Sequence, residues 1–410
     1  SNGICLLARP NHANPTVELA GRLEGGMLLE GDRPGLAHAT ASMLDRGTGR
    51  RSRGEIAEIL EGLGASVSFR STIEVVGFHA KCLREDLPVV VELLAEMLQQ
   101  PAFPGKEWDI VRPQIVNAIR EAHQETFDRA YHRAMEILCG DANPYARLTV
   151  GSEEALQQIK PVDLGRFHQQ ALAGRSMTVA LVGDVEPEAG AALLERHLGD
   201  IDAGEPFPAV EEARRWTSFD GPSGVATEHV ELPEKSQVDL VLARPGLSRL
   251  DPGYEAAFVA NYVLGGHFSS RLNKELRDNE GLTYGTYSRL RPGLGVVPWY
   301  ASIGVHPQNV ERARTGMLRE MDRLRAGGVA PGEFADAISH LTGSFPVRLE
   351  ANRAVATMLL DGERYGQGPD VIESYLERLE RIRRDDVEEQ ARRLFRTGGA
   401  VIVSAGSLDG

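Results

Sequence analysis

The sequence predicts an α+β protein of two homologous domains, each an antiparallel sheet with helices packed on it. Three observations predict it. The chain has 410 residues, with 42% hydrophobic and 25% charged residues, enough for two globular cores. Runs of strand-like segments are followed by runs of helical ones, which suits segregated α+β layers better than a doubly wound sheet. The same order of segments then occurs twice, on either side of a stretch rich in Gly, Pro and charge.

In the first half, alternating or β-branched runs predict strands at 4–8 and 16–22. Apolar spacing of three and four predicts helices at 36–44 and 53–63. Strands follow at 65–70 and 74–81, then amphipathic helices at 87–98, 107–124 and 130–138. A helix at 162–171 and a strand at 177–182 close the half. The second half repeats the plan. Strands are expected at 225–232 and 238–243, helices at 254–264 and 269–278, and strands at 283–289 and 299–305. Helices at 310–325, 333–349, 353–360 and 386–395 then lead to a strand at 401–404. Asp163 and the pair Asp385-Asp386 open the last helix of each half, and each half ends in a short strand closed by Gly183 or Gly406. The domains expected are therefore 1–202 and 225–410, joined by a linker over 203–224.

Composition excludes several functions. The net charge of −14, from 59 acidic and 45 basic residues, disfavours nucleic acid as a partner, because phosphate binding needs a basic surface. No membrane span is expected, since the longest apolar runs, near 177–182 and 400–405, are strand-sized. Cys5, Cys82 and Cys139 are odd in number and widely spaced, so buried thiols are expected, with neither a disulfide framework nor a thiolate metal site. The chain runs from Ser1-Asn2-Gly3 straight into its first strand without signal-peptide regions. A leader removed or left out would give the same start, so the compartment stays open between periplasm and cytoplasm.

Two motifs carry chemistry. The first is Gly35-Leu36-Ala37-His38-Ala39-Thr40-Ala41-Ser42-Met43-Leu44, followed by Gly47-Thr48. It resembles the inverted zinc motif of the pitrilysin/insulinase (M16) family of zinc peptidases, Gly-Leu-Ala-His-x-x-Glu-His-Met-Leu. There, two His at i and i+4 on one helix face reach a single Zn²⁺, and the intervening Glu serves the metal-bound water as general base. Only His38 matches. Ala41 stands at the position of the catalytic Glu and Ser42 at that of the second His. The family's third ligand is a Glu on a later helix, and the frame 113–119 puts Ala118 at that position. A catalytic zinc needs three protein ligands, so the resemblance implies no metal in this chain. From the residues alone, His38 reads as a helix-face histidine hydrogen-bonded to a neighbour, and His123 and Glu125 as polar groups on a solvated helix end; the fold that the resemblance implies puts His123 and Glu125 near His38, so a relocated metal site is the alternative. The strand after Gly64-Ala65-Ser66 also lacks the family's Asn-Ala pair.

The second motif is intact. Leu264-Gly265-Gly266, then Ser269-Ser270-Arg271-Leu272, then Leu276-Arg277 and Gly281-Leu282-Thr283-Tyr284 resemble the family's C-terminal signature. The resemblance implies that Arg277 and Tyr284 contact substrate near the scissile bond of a zinc site. A phenol and a guanidinium suit that role, because hydrolysis of a peptide places negative charge on the carbonyl oxygen. The alternative from the residues alone pairs Arg277 with Glu275 or Glu280 and packs Tyr284 in the core.

The stretch 341–353 also resembles short bacterial (M16B) members, so the likeness runs along essentially the whole chain. It implies a mitochondrial-processing-peptidase-like, LuxS-like metallohydrolase fold. It further implies a heterodimer: a homologous zinc-binding subunit holds the Zn, and this chain supplies Arg277 and Tyr284 for hydrolysis of unfolded peptides. A non-catalytic scaffold derived from such a peptidase is the competing expectation.

Overall fold

The computed structural model of the protein describes residues 2–216, 219, 221–396 and 398–408. Three residues of the expected linker, Thr217, Ser218 and Asp220, lie outside the described residues. In chain order the first-half elements are β1 (Cys5–Pro10), β2 (Thr16–Glu24), α1 (Leu36–Ala41), α2 (Arg53–Gly62), β3 (Ser66–Ser71) and β4 (Val75–Leu83). They continue as α3 (Leu87–Gln99), α4 (Gly105–Gln124), α5 (Thr126–Cys139), α6 (Glu153–Gln158), α7 (Pro161–Ala171), β5 (Met177–Gly183) and α8 (Pro187–Leu198). A short helix, α9 (Ala209–Arg215), stands within the expected linker. The second half comprises β6 (Val225–Glu231), β7 (Val238–Arg244), α10 (Tyr254–Asn261), β8 (Thr286–Arg289), β9 (Trp299–Val305) and α11 (Val310–Gly327). It ends with α12 (Pro331–Arg348), α13 (Asn352–Arg364), α14 (Val371–Arg381), α15 (Arg384–Leu394) and β10 (Ala400–Gly406).

Each half contributes one five-stranded sheet, in the orders β1-β5-β2-β4-β3 and β6-β10-β7-β9-β8. Adding five to each strand number of the first order gives the second, so the repeat seen in the sequence is a repeat of topology. The sheets are mixed, which corrects the antiparallel expectation. β5 is parallel to β1 and antiparallel to β2, and β10 is parallel to β6 and antiparallel to β7. The cause is the place of the closing strand. It inserts between two opening strands that run in opposite directions, so it must lie parallel to one of them.

The chain divides into two compact units that do not follow its halves. The first unit is Ser1–Ile119, Leu148–Ala209 and Pro346–Ser374, and the second is Arg120–Arg147, Val210–Phe345 and Tyr375–Gly410. In the first unit, Val17, Leu19 and Leu23 of β2, Phe78 and Ala80 of β4 and Val179 and Leu181 of β5 face one core. Period-two alternation turns Glu18, Arg22 and Glu24 to the other face. There α13, a second-half helix, packs on β2 and β5. Gly21 pairs with Phe78, whose ring occupies the space a Cβ would take, 2.0 Å away.

In the second unit, Val238, Leu240 and Leu242 of β7 pack with Trp299, Ala301 and Ile303 of β9 under α10, α11 and α15. The opposite face carries Val241, Ala243, Tyr300, Val401 and Val403, and it receives Ala130, Ala134 and Met135 of α5, a first-half helix. Each sheet thus has its second face covered by a helix from the other half of the sequence. Cys82 is buried, as expected of a core thiol, and burial pushes it up to about 12. Cys5 and Cys139 are only partly buried, contrary to expectation, because Cys5 lies on the edge strand β1 and Cys139 ends α5. Among the described residues no helix is long and apolar enough to cross a membrane.

Candidate functional site

The degenerate motif forms the helix α1. Gly35 precedes it at φ +92°, and a Cβ there would meet the Val150 carbonyl oxygen at 2.7 Å, so only glycine fits. A buried carboxylate caps the helix: Glu30 Oε1 accepts from the backbone N–H groups of Gly35 at 3.2 Å and Ala37 at 2.9 Å. Negative charge at a helix N-terminus is favourable. Ala37, Ala39 and Ala41 point into the core, and Ala41 is only 3% exposed. The segment survives as packing.

His38 is half-buried, and its ring has no hydrogen-bond partner among the described residues, so the expected bond to a neighbour is not found. Ser42 follows the helix and gives its backbone N–H to the His38 carbonyl at 2.9 Å. Ala118 is exposed on α4. One imidazole, one hydroxyl and two methyl groups do not make a zinc donor set. His123 is exposed on α4, and Glu125 stands at the N-terminal cap of α5. Among the described residues no group of three or more His, Cys, Asp or Glu side chains is placed to hold a metal.

Burial holds His38 below its ordinary 6.5. The unfolded chain then takes up a proton below that pH while the folded chain does not. Stability is full above 6.5 and falls as pH drops through it. His168 is lowered in the same way. His38→Gln is expected to flatten part of that slope in denaturation curves taken between about pH 7.5 and pH 5. An unchanged slope contradicts the assignment to His38.

The second motif lies in the second unit. Its helical part is broken by two π-helical turns, Tyr262–Gly266 and Asn273–Asn279, where plain α-helix was expected. Such turns are frequent at functional sites. The close approach at Gly265 accompanies the first, since a Cβ there would meet Ser288 Oγ at 2.7 Å. Two buried asparagines that the sequence reading missed hold the element to the sheet. Asn273 donates to the Thr286 carbonyl at 2.8 Å and accepts from the Thr286 N–H at 3.1 Å. Asn261 Oδ1 accepts from Trp299 Nε1 and from Ser288 Oγ, each at 2.7 Å. An Asn three residues before a Leu-Gly-Gly turn was the available signal. Arg271 is structural, with its Nε and Nη2 donating to Glu333 at 2.7 and 2.6 Å.

Arg277 sits in the second π-helical turn and is 19% exposed at its side chain. It does not take the partners proposed for it. Arg319 binds Glu275 at 3.0 Å and Glu280 at 2.6 Å. Arg277 instead gives its Nε to Asp278 at 2.7 Å and lies 3.6 Å over the Phe268 ring, while its buried Nη1 has no hydrogen-bond partner among the described residues. Stacking on an aromatic face leaves the fork of donors oriented. Tyr284 is fully exposed, not core, and the turn after it is tied by Thr283 Oγ1 donating to the Gly285 carbonyl at 2.9 Å.

The sequence matches two family models, "Insulinase (Peptidase family M16)" over residues 7–142 and "Peptidase M16 inactive domain" over residues 158–341. An uncharacterized zinc protease of Streptomyces coelicolor is 25% identical, with 87% of this chain and 78% of that protein covered. A non-peptidase homolog, YmxG of Helicobacter pylori, is 26% identical over 83% of this chain and 77% of its own. Among solved structures, a peptidase M16 inactive domain from Pseudomonas fluorescens superposes with a TM-score of 0.90 at 25% identity, covering 99% of this chain and 97% of that one. With duplicated five-stranded sheets, both motif positions and two matching family models, the chain belongs to the M16 peptidase family.

Proposed function

We propose that this chain is the non-zinc subunit of a heterodimeric M16B metallopeptidase. It completes the active site of a homologous zinc-binding subunit with Arg277 and Tyr284, for hydrolysis of unfolded peptides. The observation that carries this reading is an asymmetry between the motifs. The helix α1 keeps its fold with Ala41 and Ser42 in place of metal chemistry, whereas the second motif keeps Arg277 and presents a fully exposed Tyr284. An exposed phenol whose hydroxyl makes no hydrogen bond among the described residues of its own chain is the group expected to act in another. In the shared site Tyr284 gives its hydroxyl proton as a hydrogen bond to the developing oxyanion, and Arg277 orients a substrate carbonyl. The zinc of the partner supplies the activated water.

The second reading is a non-catalytic binding protein descended from a peptidase, favoured by the Helicobacter pylori relative named a non-peptidase homolog. Metal analysis separates the two. The chain purified alone is expected to carry no stoichiometric zinc and to cut no peptide. Co-expressed with a paralogue bearing the intact motif, it is expected in a complex with one zinc per pair and peptidase activity. Failure of the two chains to associate favours the binding-protein reading.

A further inference from the structure

Beside Tyr284 the second unit has a cavity of about 250 Å³ whose lining, apart from Thr283 and Tyr284, lies outside both motifs. It opens where α5 begins, on the sheet face that α5 covers, towards the edge strand β8. Its walls are aromatic: Phe127 at the start of α5, the exposed Tyr284, and Tyr287 on β8. Asp239 on β7 lines it and is only 8% exposed. Asp239 Oδ2 accepts from Thr126 Oγ1 at 2.5 Å and from Gln237 Nε2 at 3.1 Å. Asp239 Oδ1 accepts no hydrogen bond and joins no ion pair among the described residues, and it is open to the cavity.

The space beside that free oxygen depends on glycine. Gly304 pairs with Asp239 across the β7–β9 ladder, and a Cβ there would stand 2.8 Å from Asp239 Oδ1 and 2.3 Å from Gln237 Nε2. Arg289 lies over the Tyr287 ring at 5.2 Å but does not line the cavity. A carboxylate oxygen open to a cavity and without a cation attracts one, and aromatic faces do the same. The cavity therefore has the chemistry of a receptor for a positive group on an apolar stem.

We infer that this cavity is a side-chain pocket for the cationic residue, Arg or Lys, of an extended peptide, with the guanidinium or ammonium on Asp239 Oδ1 and its stem along the packed rings of Phe127 and Tyr287, whose centroids are 6.2 Å apart. The identity of the ligand as a peptide substrate rests on the shared-site function proposed above, because Tyr284 borders both. The pocket itself is made by this chain alone, so it is tested without the partner.

Binding of short fluorescent unstructured peptides to the full chain decides it, with Arg in one peptide and the neutral isostere citrulline in its match. The Arg peptide is expected to bind about tenfold more tightly, a difference that Asp239→Asn abolishes and that added salt reduces. Gly304→Ala, which fills the cradle, is expected to weaken the Arg peptide at least as much. Tyr287→Leu serves as a third variant should Asp239→Asn fail to fold, and it is expected to narrow the Arg-over-citrulline preference. Equal binding of the two peptides, no binding of either, or a preference untouched by the variants overturns the pocket. A chain that selects the Arg peptide yet supports no turnover with a zinc-binding paralogue retains the pocket and overturns the shared site instead.

Discussion

Replacing Tyr284 by Phe is expected to lower turnover of the paired enzyme by about 10²–10³, the effect of losing one oxyanion donor. The substitution removes one oxygen from a side chain that is fully exposed. The isolated chain should therefore unfold within about 0.5 kcal/mol of the parent. The kinetic pattern is specific. A hydrogen bond made only as charge develops lowers kcat and kcat/KM together and leaves KM near its original value. Steady-state kinetics on the co-expressed pair checks this. Unchanged turnover, or a loss confined to KM, removes Tyr284 from the chemistry.

The second large effect is on stability. Arg364 on α13 donates through Nε and Nη2 to both oxygens of Glu24, each at 2.8 Å, and through Nη1 to Glu74 at 2.7 Å. Its side chain is buried, and so is that of Glu74. Arg364→Ala removes the guanidinium that these two carboxylates share, and Glu74 is buried. A loss of about 3–5 kcal/mol is expected, because the remaining charges keep their desolvation cost without their counter-ion. Arg364→Lys is expected to recover only part, since an ammonium cannot replace the fork that spans Glu24. Urea denaturation measures both. A loss below about 1 kcal/mol for Arg364→Ala means that apolar packing alone holds α13 on the first sheet.

Much of this was legible in the sequence. Strands and amphipathic helices announce themselves through alternation and three-to-four spacing, and their repeated order predicted two homologous domains. Two things were not legible. The insertion of β5 and β10 between the strands that open each half is a matter of pairing, and the run of elements is the same whichever strand the last one joins. The exchange of α5 and α13 between units leaves no mark either, because each helix is amphipathic wherever it packs. The helix α14 was legible but passed over: Val371, Ile372, Tyr375, Leu376 and Leu379 recur along it at three-to-four spacing.

The site was read unevenly for a similar reason. Substitutions at Ala41 and Ser42 are visible letter by letter, since metal ligation admits few residue types. The surroundings of Arg277 and Tyr284 are not, because they depend on which carboxylates other helices satisfy. Arg319, more than forty positions away, takes Glu275 and thereby leaves Arg277 to Phe268 and Asp278. Asn261 and Asn273 show the converse: buried amides tie the motif to β8 and β9, and only the place of Asn261 before Leu264-Gly265-Gly266 hinted at it.

The most direct measurement of the shared site is a titration of activity. A fixed amount of a zinc-binding paralogue, silent alone, is mixed with increasing amounts of this chain and assayed on an unstructured peptide. Turnover is expected to rise linearly and to saturate at one chain per zinc-binding subunit. A paralogue that is fully active without this chain, or one that stays silent at every ratio despite forming the complex, contradicts a division of the active site between two chains.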